Sequence, residues 1–183
     1  MIIVAFILSI FARTSLCKLI KKDLDKIQNR WKSNKDKPQV LKRILKHISN
    51  NKQIKARQAE QVHQEVFEEA DCLKCANCCK SIPPIVSKRD QNRISKHLGM
   101  ESKVFFEKYL VQDEDGDTVL NQVPCPFLKT DNNCSIYEVR PSACRQYPHS
   151  GEFTFHQNFN LHKRNAKYCP ALFEILHRLA NVK

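Results

Sequence analysis

Four of the eight residues in CLKCANCC, positions 72–79, are cysteines. Soft donors crowded this closely point to metal ligation. A CxxC pair sets two thiolates near enough to hold one ion, and a third cysteine after two more residues lets the backbone curl as it does around an iron-sulfur cubane. Cys72, Cys75 and Cys78 make that CxxCxxC run. Cys79 follows at once. Because adjacent side chains diverge, Cys78 and Cys79 are not expected to share an ion in a relaxed geometry, and one of them serves a second site, a disulfide or no metal. Cys125, Cys134, Cys144 and Cys169 come later, separated by eight, nine and 24 intervening residues. Two separated CxxC pairs, the usual zinc pattern, are missing, and Cys125 and Cys169 each precede a proline. The spacing leans slightly towards iron-sulfur over zinc. Eight cysteines suit two four-thiolate sites in a reducing compartment or four disulfides in an oxidising one. Metal binding by some subset is the expectation, and which thiolates share a site stays open. Cys17 stands apart.

Other chemistry is thinly represented. With 3 glycines against 8 prolines the chain lacks both GxGxxG and GxxxxGK[ST], so nucleotide-binding folds are disfavoured. Seven histidines are present, but nothing in their spacing pairs one with a cysteine as a base for a nucleophile; His149 and His156 read as loop or strand-edge residues. DEDGD at 113–117 lacks the closing glutamate of an EF-hand and reads as a hairpin turn. In CSIYEVRPSACRQYP, positions 134–148, Pro141 can open a helical turn that contains Cys144, with Arg140 and Arg145 on either side. The two guanidinium groups either offset thiolate charge or make ordinary surface contacts; both readings stay open.

The elements that must position these residues are mostly helical. From about Leu19 to Phe67 the pattern is helix, broken near Lys35 to Pro38. In QVLKRILKHIS, Val40, Leu41, Ile44, Leu45 and Ile48 recur on one face and leave Lys42, Arg43 and Lys46 on the other. A further helix from Lys55 to about Glu69, with Ala59, Val62, Val66 and Phe67 inward, leads into the cysteine cluster. The prolines of SIPPIVS force an extended segment. Ser87 and Asp90 form a helix start and Gly99 fits its end. Residues 101–111 read as a short helix with Val104, Phe105 and Tyr109 on its core side, EFTFHQNF alternates like a strand, and Pro170 opens a last apolar helix. The expected fold is mainly α with a small antiparallel β element: a compact cysteine-rich, metal-held domain over residues 59–183, preceded by a basic amphipathic helical segment over 24–58 and an apolar extension over 1–23.

The formal net charge of +12 is confined to one end. Residues 1–58 carry 15 Lys and Arg against 3 Asp and Glu, while residues 59–183 carry 16 of each. The cysteine-bearing part is therefore neutral, and the high pI says nothing about its chemistry. No aromatic residues interleave the basic ones as a base-stacking surface needs, so nucleic acid is not an expected partner. The apolar run Ile2 to Ala12 is too short to span a bilayer. No Lys or Arg precedes it and no small-x-small cleavage site follows, which favours an over-extended start or a packed segment over a signal peptide.

CLKCANCC, then CPFLKTDNNCSIYEVRPSACRQYP, then YCP, resembles the CxxCxxCC cysteine-cluster family of zinc- or iron-chelating domain proteins, the YkgJ-like group, which is related to flagellin lysine methylase. The likeness runs from about residue 60 to 180. It implies a metal- or iron-sulfur-binding domain whose ligands are drawn from Cys72, Cys75, Cys78, Cys79, Cys125, Cys134, Cys144 and Cys169. Arg140, Pro141, Arg145, Tyr147 and Pro148 fall on the family's arginine-proline and tyrosine-proline positions. Ala76 stands where the family usually has glycine, a cost if the position needs positive φ. No region is assignable to a substrate peptide, so methyl transfer does not follow from the likeness.

The expected function is chelation of iron, as an iron-sulfur cluster, or of zinc, in a structural, redox or sensory role in the cytoplasm. The alternatives are an S-adenosylmethionine-dependent protein methyltransferase-like enzyme, disfavoured by the missing Gly-rich loop, and an exported or membrane-associated disulfide-rich protein, which needs residues 1–17 to act as a signal. Whether there is catalysis is left open. A metal ion is the one partner named, and a membrane enters only through residues 1–23.

Overall fold

The computed structural model describes residues 24–51, 54, 56–151 and 155–182; the apolar extension and Cys17 lie outside them. In chain order the helices are α1 (24–34), α2 (Pro38–Asn50), α3 (Ala56–Glu69), α4 (Cys72–Cys75), α5 (Asn77–Ser81), α6 (Lys88–His97) and α7 (Ser102–Tyr109). Strands β1 (Leu110–Gln112) and β2 (Thr118–Leu120) follow, then a 3-10 turn (Tyr137–Val139), α8 (Ser142–Gln146), α9 (Phe159–Asn165) and α10 (Pro170–Ala180). The fold is mainly helical with one two-stranded antiparallel sheet, as the sequence predicts. Among the described residues no helix is long and apolar enough to cross a membrane.

The chain divides into two units, one ending at Asp71 and resuming after Gly151, the other Cys72–Gly151. In the first, α10 packs against α2 and α3. Pro170 at its first turn supplies a preset φ where no N–H is needed. Leu172, Phe173, Ile175, Leu176 and Leu179 are all buried, so the helix is apolar nearly all round, the pattern of a central core element. Ile44, Leu45 and Ile48 of α2 and Ala59, Val62 and Val66 of α3 face inward at the expected spacing, while Lys42, Arg43 and Lys46 stay exposed. The buried Glu174 is held by Arg30 Nη1 at 2.6 Å and Arg178 Nε at 2.9 Å, and Arg178 also grips Glu69 through both Nη atoms.

The described part of EFTFHQNF departs from the expected strand: residues 155–158 are a turn and Phe159 begins α9, while residues 152–154 lie outside the described set. Phe155 is fully buried, stacks on His162 at 4.6 Å between centroids, and accepts at its carbonyl from His162 Nε2 at 2.9 Å. Within the described residues, Phe155 acts as an aromatic anchor of the turn.

In the Cys72–Gly151 unit, Val86, Ile94, Phe105, Leu110, Leu120, Phe127 and Ile136 form a core against which Cys125 and Cys134 pack. Ser87 caps α6, its hydroxyl accepting from Asp90 N at 3.1 Å. Gly99, at φ +67°, ends it: Gly99 N donates to Lys96 O and Met100 N to Ser95 O, the paired bonds of a Schellman turn. Helix α7 stops at Tyr109, two residues short of the expected end, and Val104 is exposed because it sits beside Phe105, whose side chain takes the core-facing position. DEDGD is the hairpin turn between β1 and β2, with Asp113 Oδ1 accepting from Asp115 N and Asp117 N. The extended Pro84–Val86 segment pairs with β2 through Val86 N to Thr118 O and Leu120 N to Pro84 O, a register in which Pro84 needs to supply only its carbonyl.

Candidate metal centre

The cysteine cluster is built on two short helical turns joined at Ala76. That residue has φ +46° and ψ +18°, a left-handed conformation that breaks α4 from α5 and redirects the chain. Positive φ at this position is what a glycine would provide without strain. Cys72 is exposed and Cys75, Cys78 and Cys79 are half-buried. Contrary to the expectation of divergent side chains, the sulfurs of Cys78 and Cys79 lie 4.0 Å apart. Zinc-sulfur bonds of about 2.3 Å in a tetrahedron place two sulfurs at roughly that separation.

Three further thiols come from segments tied by hydrogen bonds within the same unit. Cys125 N donates to Cys79 O at 2.8 Å. Leu128 and Cys134 bridge across a tight loop closed by Lys129 N to Asn133 O, with Asn132 at φ +67°. Asn132 Nδ2 in turn donates to Lys74 O at 3.1 Å, which ties the loop tip to α4. Cys144 comes from α8, whose first residue is held by α6: Asp90 accepts from Ser142 N at 3.1 Å and from Ser142 Oγ at 3.0 Å.

The thiols of Cys79, Cys125, Cys134 and Cys144 lie close enough to bear on one another's ionisation. The Cys79 thiol is held down at about 7, chiefly by its hydrogen bond with Cys78, against the opposing effect of burial and with help from its own backbone amide and from Lys80. Burial pushes Cys125 up to about 11; the amides of Phe127 and Leu128 offset part of this, and the charges of Cys79 and Cys134 add to it. Cys134 is raised by burial and by Cys79, against the Ile136 amide and Arg140. Cys144 rises to about 12 through burial and the charges of Cys79, Cys125 and Cys134, with Arg140 opposing. Cys79, Cys125, Cys134 and Cys144 thus share one electrostatic neighbourhood. Among the described residues, no group of three or more His, Cys, Asp or Glu side chains is placed to hold a metal ion.

Of the two arginines flanking Cys144, Arg140 bears on the thiols and stacks at 3.8 Å over the Tyr137 ring, whereas Arg145 donates to the Ser142 hydroxyl at 3.1 Å. Cys169 belongs to the unit that resumes after Gly151, where it is buried and caps α10, its sulfur accepting from Leu172 N at 3.3 Å. His156 Nε2 bonds Ile54 O at 3.0 Å. The grip of Asp90 on Ser142 and of Asn132 on Lys74 was not legible in the sequence. Ser87 and Asp90 declare a helix start, but nothing local announces a partner 52 residues away.

Soft thiol donors, half-buried and mutually repelling once ionised, suit a thiophilic ion such as zinc or iron, whose charge would relieve that repulsion. Fold and donor set together define a cysteine-cluster metal-binding domain. Residues 71–170 match the CxxCxxCC family model, described as "Putative zinc- or iron-chelating domain", and because the match spans more than half of the chain, the protein belongs to that family. No curated protein and no solved structure gives a match.

Proposed function

We propose that the protein chelates zinc or iron through a centre whose principal ligands are Cys79, Cys125, Cys134 and Cys144, with Cys72, Cys75 and Cys78 on the adjoining turns available for a second ion or for an iron-sulfur cluster. The observation that carries this reading is the gathering in one unit of four half-buried thiols from α5, the loops at 125 and 134, and α8, where Cys125 N bonds Cys79 O and the thiols bear on one another's ionisation. When bound, the metal supplies the positive charge that lets these thiols lose their protons together. The chain's own residues do the rest: Arg140 favours the ionised form of Cys134 and Cys144, and the amides of Phe127, Leu128 and Ile136 favour that of Cys125 and Cys134. Cys169 stands as the eighth candidate ligand. The cysteine-bearing part of residues 59–183 is the chelating domain on this reading and the basic segment 24–58 is accessory to it; a reducing compartment, the cytoplasm, would keep such thiols available to a metal.

Anaerobic purification of the full chain, followed by metal and acid-labile sulfide analysis and a visible spectrum, tests the proposal. Zinc without colour supports a mononuclear thiolate centre, and iron with equimolar sulfide supports a cluster. A metal-free protein whose cysteines are all in disulfides would overturn it.

A further inference from the structure

Helix α8 carries Cys144, yet none of its five residues is buried. Apolar packing of the helix itself therefore does not fix where that thiol points. The side-chain bonds that hold its start are polar and come from α6. Asp90 is 2% exposed, and both of its carboxylate oxygens are fully used: Oδ1 accepts from Ser142 Oγ at 3.0 Å and from Arg93 Nη2 at 2.7 Å, while Oδ2 accepts from Ser87 Oγ at 2.8 Å and Ser142 N at 3.1 Å. Arg93 Nη2 also donates to Arg140 O at 2.8 Å. The backbone is thus gripped on both sides of Pro141, three residues ahead of Cys144. Capping α6 needs only the Ser87 hydroxyl and a partner for it. Burying a carboxylate is costly unless every lone pair is matched, and here the matches that lie outside the cap lead to the Cys144 segment.

We infer that Asp90 is a positioning residue of the thiolate centre, a clamp that aims Cys144 at the other thiols by holding Ser142 and, through Arg93, Arg140. The inference rests on the metal-centre reading above and adds a residue that touches no metal. Residues that orient ligands in this way typically change metal affinity 10- to 100-fold when removed.

The test uses the full chain as wild type, as Asp90→Asn and, in case that variant fails to fold, as Ser142→Ala, which deletes one clamp bond and keeps the backbone one. Zinc affinity is measured by competition titration, and the alkylation rate of each thiol by iodoacetamide in the metal-free chain is read by peptide mass spectrometry. Asp90→Asn is expected to weaken zinc about 10- to 100-fold and to speed alkylation of Cys144 several-fold while leaving Cys125 unchanged; Ser142→Ala should move both in the same direction by less. A wild-type chain that binds neither zinc nor ferrous iron would overturn the metal reading and the clamp with it. Wild type that binds zinc beside an Asp90→Asn variant with the same affinity and the same Cys144 rate would overturn the clamp alone. An equal rise in alkylation at every thiol would also overturn it, because it would mark general loosening.

Discussion

Ala76 carries the sharpest local conflict in the chain: a buried alanine held at φ +46°. An L-residue in this region costs about 1–2 kcal/mol relative to the right-handed conformation, and glycine escapes most of that while losing some unfolded-state advantage. Ala76→Gly is therefore expected to stabilise the protein by about 1 kcal/mol in urea unfolding, and an unchanged or lowered midpoint would contradict the strain. The thiols make a second prediction. With Cys79 held near 7 and Cys125, Cys134 and Cys144 all raised, three of the four keep their protons just above neutrality. Zinc must displace them, so the logarithm of its affinity should climb with pH between about 7.5 and 9 with a slope near three. A slope below one would show that the four do not ligate together.

Helix α6 links folding to the site. Burial alone would raise the Asp90 carboxyl, but Arg93, Ser87 and Ser142 outweigh it and hold the group at about 2, below the ordinary 3.8. A carboxyl depressed by folding contributes stability that is present above its ordinary value and lost as pH falls through its folded one. The wild type should therefore lose on the order of 2 kcal/mol between about pH 4 and pH 2 that Asp90→Asn does not lose, measured by denaturant unfolding along a pH series. Much of this element was legible beforehand: Ser87, Asp90 and Gly99 mark its two ends through chemistry confined to a few neighbouring residues. The clamp was not legible, because its partner is fixed only by tertiary packing. The turn at Phe155 misled for a related reason, since alternation of apolar residues is shared by a strand and by a segment pinned through one buried ring. Cys78 and Cys79 likewise show that adjacency in sequence sets the backbone positions and leaves the rotamers to bring two sulfurs together.

At the scale of the molecule, each unit has its own apolar core, one around α10 and one around Phe105 and Ile94. Thiolates are not the sole tie within the Cys72–Gly151 unit, because Cys125 N to Cys79 O and Asn132 Nδ2 to Lys74 O also join its segments. Removing metal with a chelator should consequently loosen α4, α5 and the loop 121–134 first, while α6, α7 and the hairpin persist. Limited proteolysis of the chelated chain should cut within residues 72–81 or 121–134 well before 88–120; simultaneous cutting throughout would show that metal holds the whole unit. The charge is equally uneven, with the excess of +12 carried by residues 1–58, so ionic strength should alter the behaviour of that segment far more than metal content.

The sulfur of Cys169 bears on how a serine scan of this protein would be read. Besides standing as a candidate ligand, it receives the Leu172 amide at the start of α10, a task that a hydroxyl performs at least as well. A ligand cysteine changed to serine should shed metal; if capping is all that Cys169 does, Cys169→Ser should keep both the metal and the melting temperature and Cys169→Val should lower the latter, whereas loss of metal in Cys169→Ser would make it a ligand. Tolerance of serine at 169 beside intolerance at 79, 125, 134 and 144 would sort the cysteines into two trades, helix punctuation and ion capture, that their shared spelling conceals.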